Sequence, residues 1–152
     1  MLLGPPVAES TSLLVSLRQV RGLDNDLTTR GAYHLHVGSG SWPVQVRLLE
    51  TGLCLIRSRS PIPVQAGDRY ILRETGRRAV VGGGRVLDPR PSASSERLRA
   101  TAGELAMSLD QGADVMANAL LEVRGVASLS DLSRDSGGGR PSTRYMTTGL
   151  AM

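Results

Sequence analysis

Arg69, Arg73, Arg77 and Arg78 place four guanidinium groups within ten residues. Strand side chains alternate with period two, so Arg69, Ile71 and Arg73 would share one face. Arg77 and Arg78 follow across the short connection Glu74-Thr75-Gly76. A guanidinium is permanently charged and offers a planar fork of donors, so this ridge suits bidentate contact with phosphate oxygens. A charge run is more often a solvated face, and the spacing alone leaves both readings open. His34 and His36 form an H-x-H pair on one strand face, which could present two ligands to a metal. A third ligand would have to come from Cys54 or an acid on a neighbouring strand, and no spacing points to one. The pair is expected to be two polar-face histidines, with an RNA-contacting role between the two readings.

The remaining candidates read as structure. Cys54 sits between Leu53 and Leu55, and a thiol inside such an apolar run is usually a small core residue rather than a nucleophile, which needs an electropositive, partly exposed site. Gly82-Gly83-Gly84 follows Val80-Val81 and precedes Arg85-Val86-Leu87. It therefore lies inside a strand, whereas a phosphate-cradling loop opens onto a helix N-terminus. The expectation is a bulge or barrel corner where only glycine fits. All 18 basic side chains are arginine, which excludes a P-loop, whose lysine must reach the nucleotide phosphates, and lysine Schiff-base chemistry. There is no G-x-S-x-G, no H-E-x-x-H and no standout pair of carboxylates. No catalytic residue and no metal site is expected.

These residues belong to a chain of 152, one domain or one domain with a fragment of another. With 40% apolar and 21% charged residues the composition is globular. Phenylalanine is missing and there are only one tryptophan and three tyrosines, so the core must come from Leu, Val and Ala. The net charge is +4 and the isoelectric point about 10.2. Residues 1–88 carry 11 Arg against 7 acids and residues 89–152 carry 7 against 7, so the whole excess lies in the first part. A single cysteine favours a reducing compartment. The N-terminus has no cationic segment followed by an apolar run of signal or membrane length. A soluble cytoplasmic chain with no membrane partner is expected.

The elements that must position the arginines are strands. Leu13, Val15 and Leu17 alternate within Ser12–Val20; Tyr33, Leu35 and Val37 alternate with the histidines; Val44, Val46 and Leu48 alternate with Gln45 and Arg47. Leu53–Ile56 is a continuous apolar run, as in a strand buried on both faces. Gly67-Asp68 is a turn, Arg69–Arg73 a strand and Ala79–Leu87 a last strand. Short strands at regular spacing argue for a small closed barrel or a sandwich. Pro89 to Ser95 reads as a Pro/Ser linker. Beyond it Leu98, Ala102, Leu105, Ala106 and Leu109 form a helical stripe in Ser95–Leu109. Asp114–Val123 has Met116, Leu120 and Val123 on its apolar side and Val115, Ala119 and Glu122 on the other, with Arg124-Gly125 as the stop. Ser128 is expected to cap a third helix, answered by Asp131.

Pro61 through Arg77 (PIPVQAGDRYILRETGR) and Val81 through Pro89 (VGGGRVLDP) resemble the end of the third domain of translational GTPases of the elongation factor Tu type. The G-D-R-Y-I-L-R run and the G-G-G-x-V-L-D-P ending look most like bacterial selenocysteine-specific elongation factors. His34 to Gly40 (HLHVGSG) is similar to the L-H-x-G-T segment of that family. The resemblance covers residues 11–89, and Asp114–Asp131 is more loosely similar to the opening of the winged-helix region that follows in the same family. It implies a six-stranded barrel of the translation-factor third-domain type at 11–88, a linker at 89–96, a partial winged-helix-like region at 97–140, and tails at 1–10 and 141–152.

The resemblance also implies function. Such barrels help hold the acceptor and T-stem backbone of an aminoacyl-tRNA, and the turn matching Arg73, Glu74, Thr75 and Gly76 lies against that stem, with Arg77 and Arg78 adjoining. Arg69 belongs to the same ridge, and His34 and His36 match a strand near the groove. The partner implied is selenocysteinyl-tRNA, with a selenoprotein mRNA hairpin and the ribosome behind it. The family's GTPase motifs are missing, so GTP and magnesium are expected of the full-length family and no cofactor of this chain. The expectation is a non-catalytic fragment that could pair with a separately encoded GTPase domain. The alternative is a small DNA-binding regulator with a winged helix and a dimerising barrel, whose difficulty is that the helical half is the neutral one.

Overall fold

Leu13 and Leu14 are both fully buried although they are neighbours in one strand. Successive strand side chains point to opposite faces, so this sheet must have a core on each side. Leu13 belongs to a cluster inside a barrel, and Leu14 to a second cluster between the barrel wall and a set of helices. In the computed structural model the described residues are 9–20, 31–76, 79–125 and 129–136.

The strands are β1 (Glu9–Ser16), β2 (Arg18–Gln19), β3 (Tyr33–Val37), β4 (Gly40–Glu50), β5 (Leu53–Pro63), β6 (Arg69–Glu74) and β7 (Val80–Asp88). Neighbours follow the order β1-β5-β4-β3-β6-β7, all antiparallel, and β1 pairs again with β7. That last pairing closes the sheet into a six-stranded barrel, because β2 continues β1 along β7 after a break at Leu17. The Leu17 amide donates to the Gly52 carbonyl at 2.9 Å, and beyond it Arg18 and Gln19 pair with Gly83 and Gly82. The single strand expected at Ser12–Val20 is thus two segments. Closure removes sheet edges that would otherwise recruit other chains.

The barrel interior holds Leu13, Val15, Tyr33, Leu35, Val44, Val46, Cys54, Ile56, Ile62, Tyr70, Leu72 and Val86 among others. The expected alternation holds on β3 and fails at the far end of β4. Leu48 is 45% exposed because the β4–β5 register shifts between Leu48 and Glu50, and a bulge re-aims the side chains beside it.

The triglycine lies inside β7, where the strands converge. A Cβ on Gly84 would collide with the carbonyl oxygen of Ser16, one on Gly82 would come within 2.7 Å of the Arg18 carbonyl, and one on Gly83 within 2.7 Å of that of Tyr70. Bare backbone here lets β1, β2 and β6 approach closely enough to close the barrel. The Tyr70 hydroxyl, donating to the Ser16 carbonyl at 2.6 Å, braces the same junction from β6.

The helices are α1 (Ser95–Ser108), α2 (Ala113–Arg124) and α3 (Leu129–Asp135). The Ser94 side chain caps α1 by accepting from the Arg97 amide at 3.3 Å, and α2 ends at Gly125 with φ 84°, a left-handed stop that costs glycine little. Leu98, Ala102, Leu105, Met116, Leu120, Val123 and Leu132 pack on Leu14, Leu53, Ala66 and Leu87 of the barrel wall. This is why Leu53–Ile56 is an unbroken apolar run: Leu53 faces the helices while Cys54 and Ile56 face the interior. Ala106 is exposed and lies off the expected stripe. Ala119, expected on the polar side of α2, is buried because the helix packs along a broader face. Ser128, the expected cap of α3, lies outside the described residues. No described helix is long and apolar enough to cross a membrane.

An ion-pair cluster ties helices to barrel. Arg124 bridges Asp88 at 2.6 Å and Asp135 at 2.8 Å, and both carboxylates are fully buried. Burial pulls the guanidinium pKa down, but the attraction of Asp88 and Asp135 outweighs it and holds the group above its ordinary value. Arg90 reaches Asp135 at 3.2 Å and Asp131 at 2.7 Å, and its amide donates to Asp88 at 2.9 Å. Asp131 also takes Arg134 at 2.6 Å.

Candidate nucleic-acid interface

The outer wall of β3 and β6 carries the predicted residues. His34 pairs with Arg73 in register and His36 with Ile71. Arg69, Ile71 and Arg73 all point outward from β6 while Tyr70 and Leu72 point in, as period two requires. The β6–β7 connection is held at its base, where the Glu74 amide donates to the Ala79 carbonyl at 2.9 Å. Its start is fastened to β3: the Thr75 amide donates to the Ala32 carbonyl at 2.9 Å, and His34 Nδ1 and Thr75 Oγ1 share a hydrogen bond of 2.9 Å. His34, Arg73, Glu74, Thr75 and Gly76 therefore form one continuous patch at the barrel's end. Arg77 and Arg78 lie outside the described residues.

The two histidines face different clefts. His34 and Thr75 line a depression of about 710 Å³ between β3, β4 and β5, which also takes in Arg57, Arg59, Ser58 and Gln45. His36 and Arg69 line one of about 830 Å³ on the β7 side, floored by the bare backbone of Gly83 and Gly84 and flanked by Arg18, Arg85 and the half-exposed Ile71. In this second cleft Arg85 is engaged, its Nε donating to the Gly67 carbonyl at 3.3 Å and its Nη1 pairing with Asp110 at 3.1 Å. The sequence reading passed over Arg18, Arg57 and Arg59. Arg57 and Arg59 sit two apart on the exposed face of β5, a period-two signal hidden because the apolar half of that strand ends at Ile56.

The described wall offers charge and hydrogen-bond donors. No group of three or more His, Cys, Asp or Glu among the described residues could hold a metal. Cys54 is 1% exposed, and burial pushes its thiol up to about 11, so near neutral pH it is protonated and out of reach.

This closed antiparallel barrel, with its arginine-bearing outer wall and helical pack on one flank, is a barrel of the translation-factor class. Residues 11–93 match the family described as the selenocysteine-specific elongation factor, beta-barrel domain, and the chain belongs to that family. The matched residues are the barrel domain of that family and not its GTPase domain. The fold is similar to the crystal structure of a bacterial selenocysteine-specific elongation factor, with a TM-score of 0.67 and 19% identity, the match covering 90% of this chain and 22% of that one. No curated protein matches the chain.

Proposed function

We propose that the barrel supplies the tRNA-backbone-binding wall of a cytoplasmic selenocysteine-specific elongation factor. Its partner is selenocysteinyl-tRNA, delivered to the ribosome by GTP hydrolysis on a separate domain. The observation that carries this reading is the gathering of His34, Arg73 and Thr75 into one outward patch at the turn where the family resemblance puts RNA contact. Glu74 and Gly76 complete the patch and Arg77 and Arg78 adjoin it in sequence, while His36 and Arg69, expected in the same ridge, face a separate cleft on the β7 side. The chain itself performs no catalysis and needs no cofactor, GTP and magnesium belonging with the GTPase domain. The region from residue 97 to 140, which contains most of α1 and all of α2 and α3, is the start of the winged-helix region that meets the mRNA hairpin.

The DNA-regulator reading is disfavoured because most described arginines beyond residue 88 are turned to this chain's own acceptors, Arg99 of α1 being the exception. Arg90, Arg124 and Arg134 are committed to internal carboxylates, and Arg97 to the carbonyls of Val123 and Glu122. A groove-reading helix needs its cations outward.

The test is binding of a tRNA transcript to the full chain across a salt series. Phosphate neutralisation releases counterions, so affinity should fall steeply with salt. The triple substitution of Arg73, Arg77 and Arg78 to Gln should weaken binding and flatten that slope while the circular dichroism spectrum is kept. Affinity indifferent to salt would overturn the reading.

A further inference from the structure

We propose that RNA backbone held at Thr75 and His34 continues across β5 over Arg57 and Arg59, and not across β7 over Arg69 and Arg18. The inference rests on the RNA-binding reading of the barrel and adds to it a direction and two contact residues. His34 and Thr75 share their cleft with Arg57 and Arg59, and no carboxylate lines it. Both arginines stand on the exposed face of β5, and neither has an ion-pair partner among the described residues. Around them the lining is Ser58, Ser60 and Gln45, side chains that can donate to phosphate or ribose oxygens as they do in sequence-independent backbone contact. Residues two apart on one strand have Cα atoms about 6.4–6.8 Å apart along it, a spacing from which two arginine side chains can reach successive points of one strand of backbone.

The β7 side also has two exposed arginines, Arg18 and Arg69, but it differs in two respects. Arg85 is spent on Gly67 and Asp110, which brings a carboxylate to that rim. Ile71, 49% exposed, stands in the cleft between Arg69 and His36, where an apolar side chain offers nothing to a phosphate and would be poorly covered by one. Charge and hydrogen-bonding capacity therefore extend from the His34–Thr75 corner toward β5.

The experiment compares R57Q/R59Q with R18Q/R69Q in the full chain, titrating an unmodified tRNA transcript across a salt series. Each phosphate contact contributes about 0.7–0.9 to the slope of log K against log salt, so R57Q/R59Q should flatten it by about 1.5, and R57K/R59K, which keeps the charges, should restore most of the loss. R18Q/R69Q should leave the slope unchanged. A second measurement needs no variant: modification of arginines by phenylglyoxal, read by mass spectrometry with and without the tRNA, should show Arg57 and Arg59 protected and Arg18 and Arg69 not. The reverse pattern in either measurement overturns the inference while leaving the RNA-binding reading standing. A chain that binds no tRNA overturns both.

Discussion

His34 Nδ1 on β3 lies 2.9 Å from Thr75 Oγ1 at the start of the β6–β7 turn. The bond joins residues 41 apart in sequence and fastens the turn to the barrel wall, beside the backbone bond from the Thr75 amide to the Ala32 carbonyl. The turn is thereby presented as part of a surface.

Because the pair is exposed, its hydrogen bond competes with water and should contribute about 0.5–1.5 kcal/mol at most. A double-mutant cycle of His34→Ala and Thr75→Val, followed by urea unfolding, should give a coupling energy in or below that range. Both variants should remain folded and bind tRNA less tightly than the parent chain. A collapse of the barrel on either substitution would show that the pair is structural first.

Gly84→Ala should destabilise the chain by about 1–3 kcal/mol, the usual cost of forcing an extra carbon into a packed site, because its Cβ meets the Ser16 carbonyl in the closing strand. Gly76→Ala is the control: nothing lies within 4 Å of a Cβ there, so its melting temperature should barely move. Equal effects at the two positions would contradict the role given to the triglycine in closure.

Arg124→Met should cost about 3–5 kcal/mol, since removing the cation leaves buried charge uncompensated. Both partners, Asp88 and Asp135, are fully buried. One of them closes β7 and the other ends α3, so thermal unfolding followed by near-ultraviolet and far-ultraviolet circular dichroism should show helices loosening from the barrel. Replacing Asp88, Arg124 and Asp135 together with apolar residues of similar volume should recover much of the loss.

Cys54 makes stability fall with alkaline pH. Its ordinary thiol value of 9.0 is raised to about 11 by burial, so between those values the unfolded chain releases a proton that the folded chain keeps. The contribution is fully present below 9.0 and is lost as pH rises toward 11. Cys54→Ala should shallow the decline in urea midpoint across that window. The native thiol should also resist an alkylating reagent below pH 9.0 until denaturant is added.

Much of the barrel was legible in local pattern. The alternation in Tyr33–Val37 and Arg69–Arg73 sets which side chains face out, because strand geometry has period two whatever the strand pairs with. The same logic separated Cys54 from chemistry and put the triglycine inside a strand. The misplaced details all depend on partners: Leu48 turns out at a register shift, Ala119 is covered by neighbours on α2's broad buried face, and the first strand breaks at Leu17 where Gly52 takes its amide.

Strand faces, the cationic turn and the split between a charged first part and a neutral second follow from residue order alone. How those parts meet is set by packing between elements distant in the chain. Arg124, read along the chain as the last-turn cation of a helix, proves to be the buried tie between Asp88 and Asp135, because a helix end has no address until the chain packs. Likewise His34 and His36 share a strand face yet open onto separate clefts. Their neighbours are supplied by strands β5 and β7, and which cations a residue joins is fixed by sheet order and not by spacing.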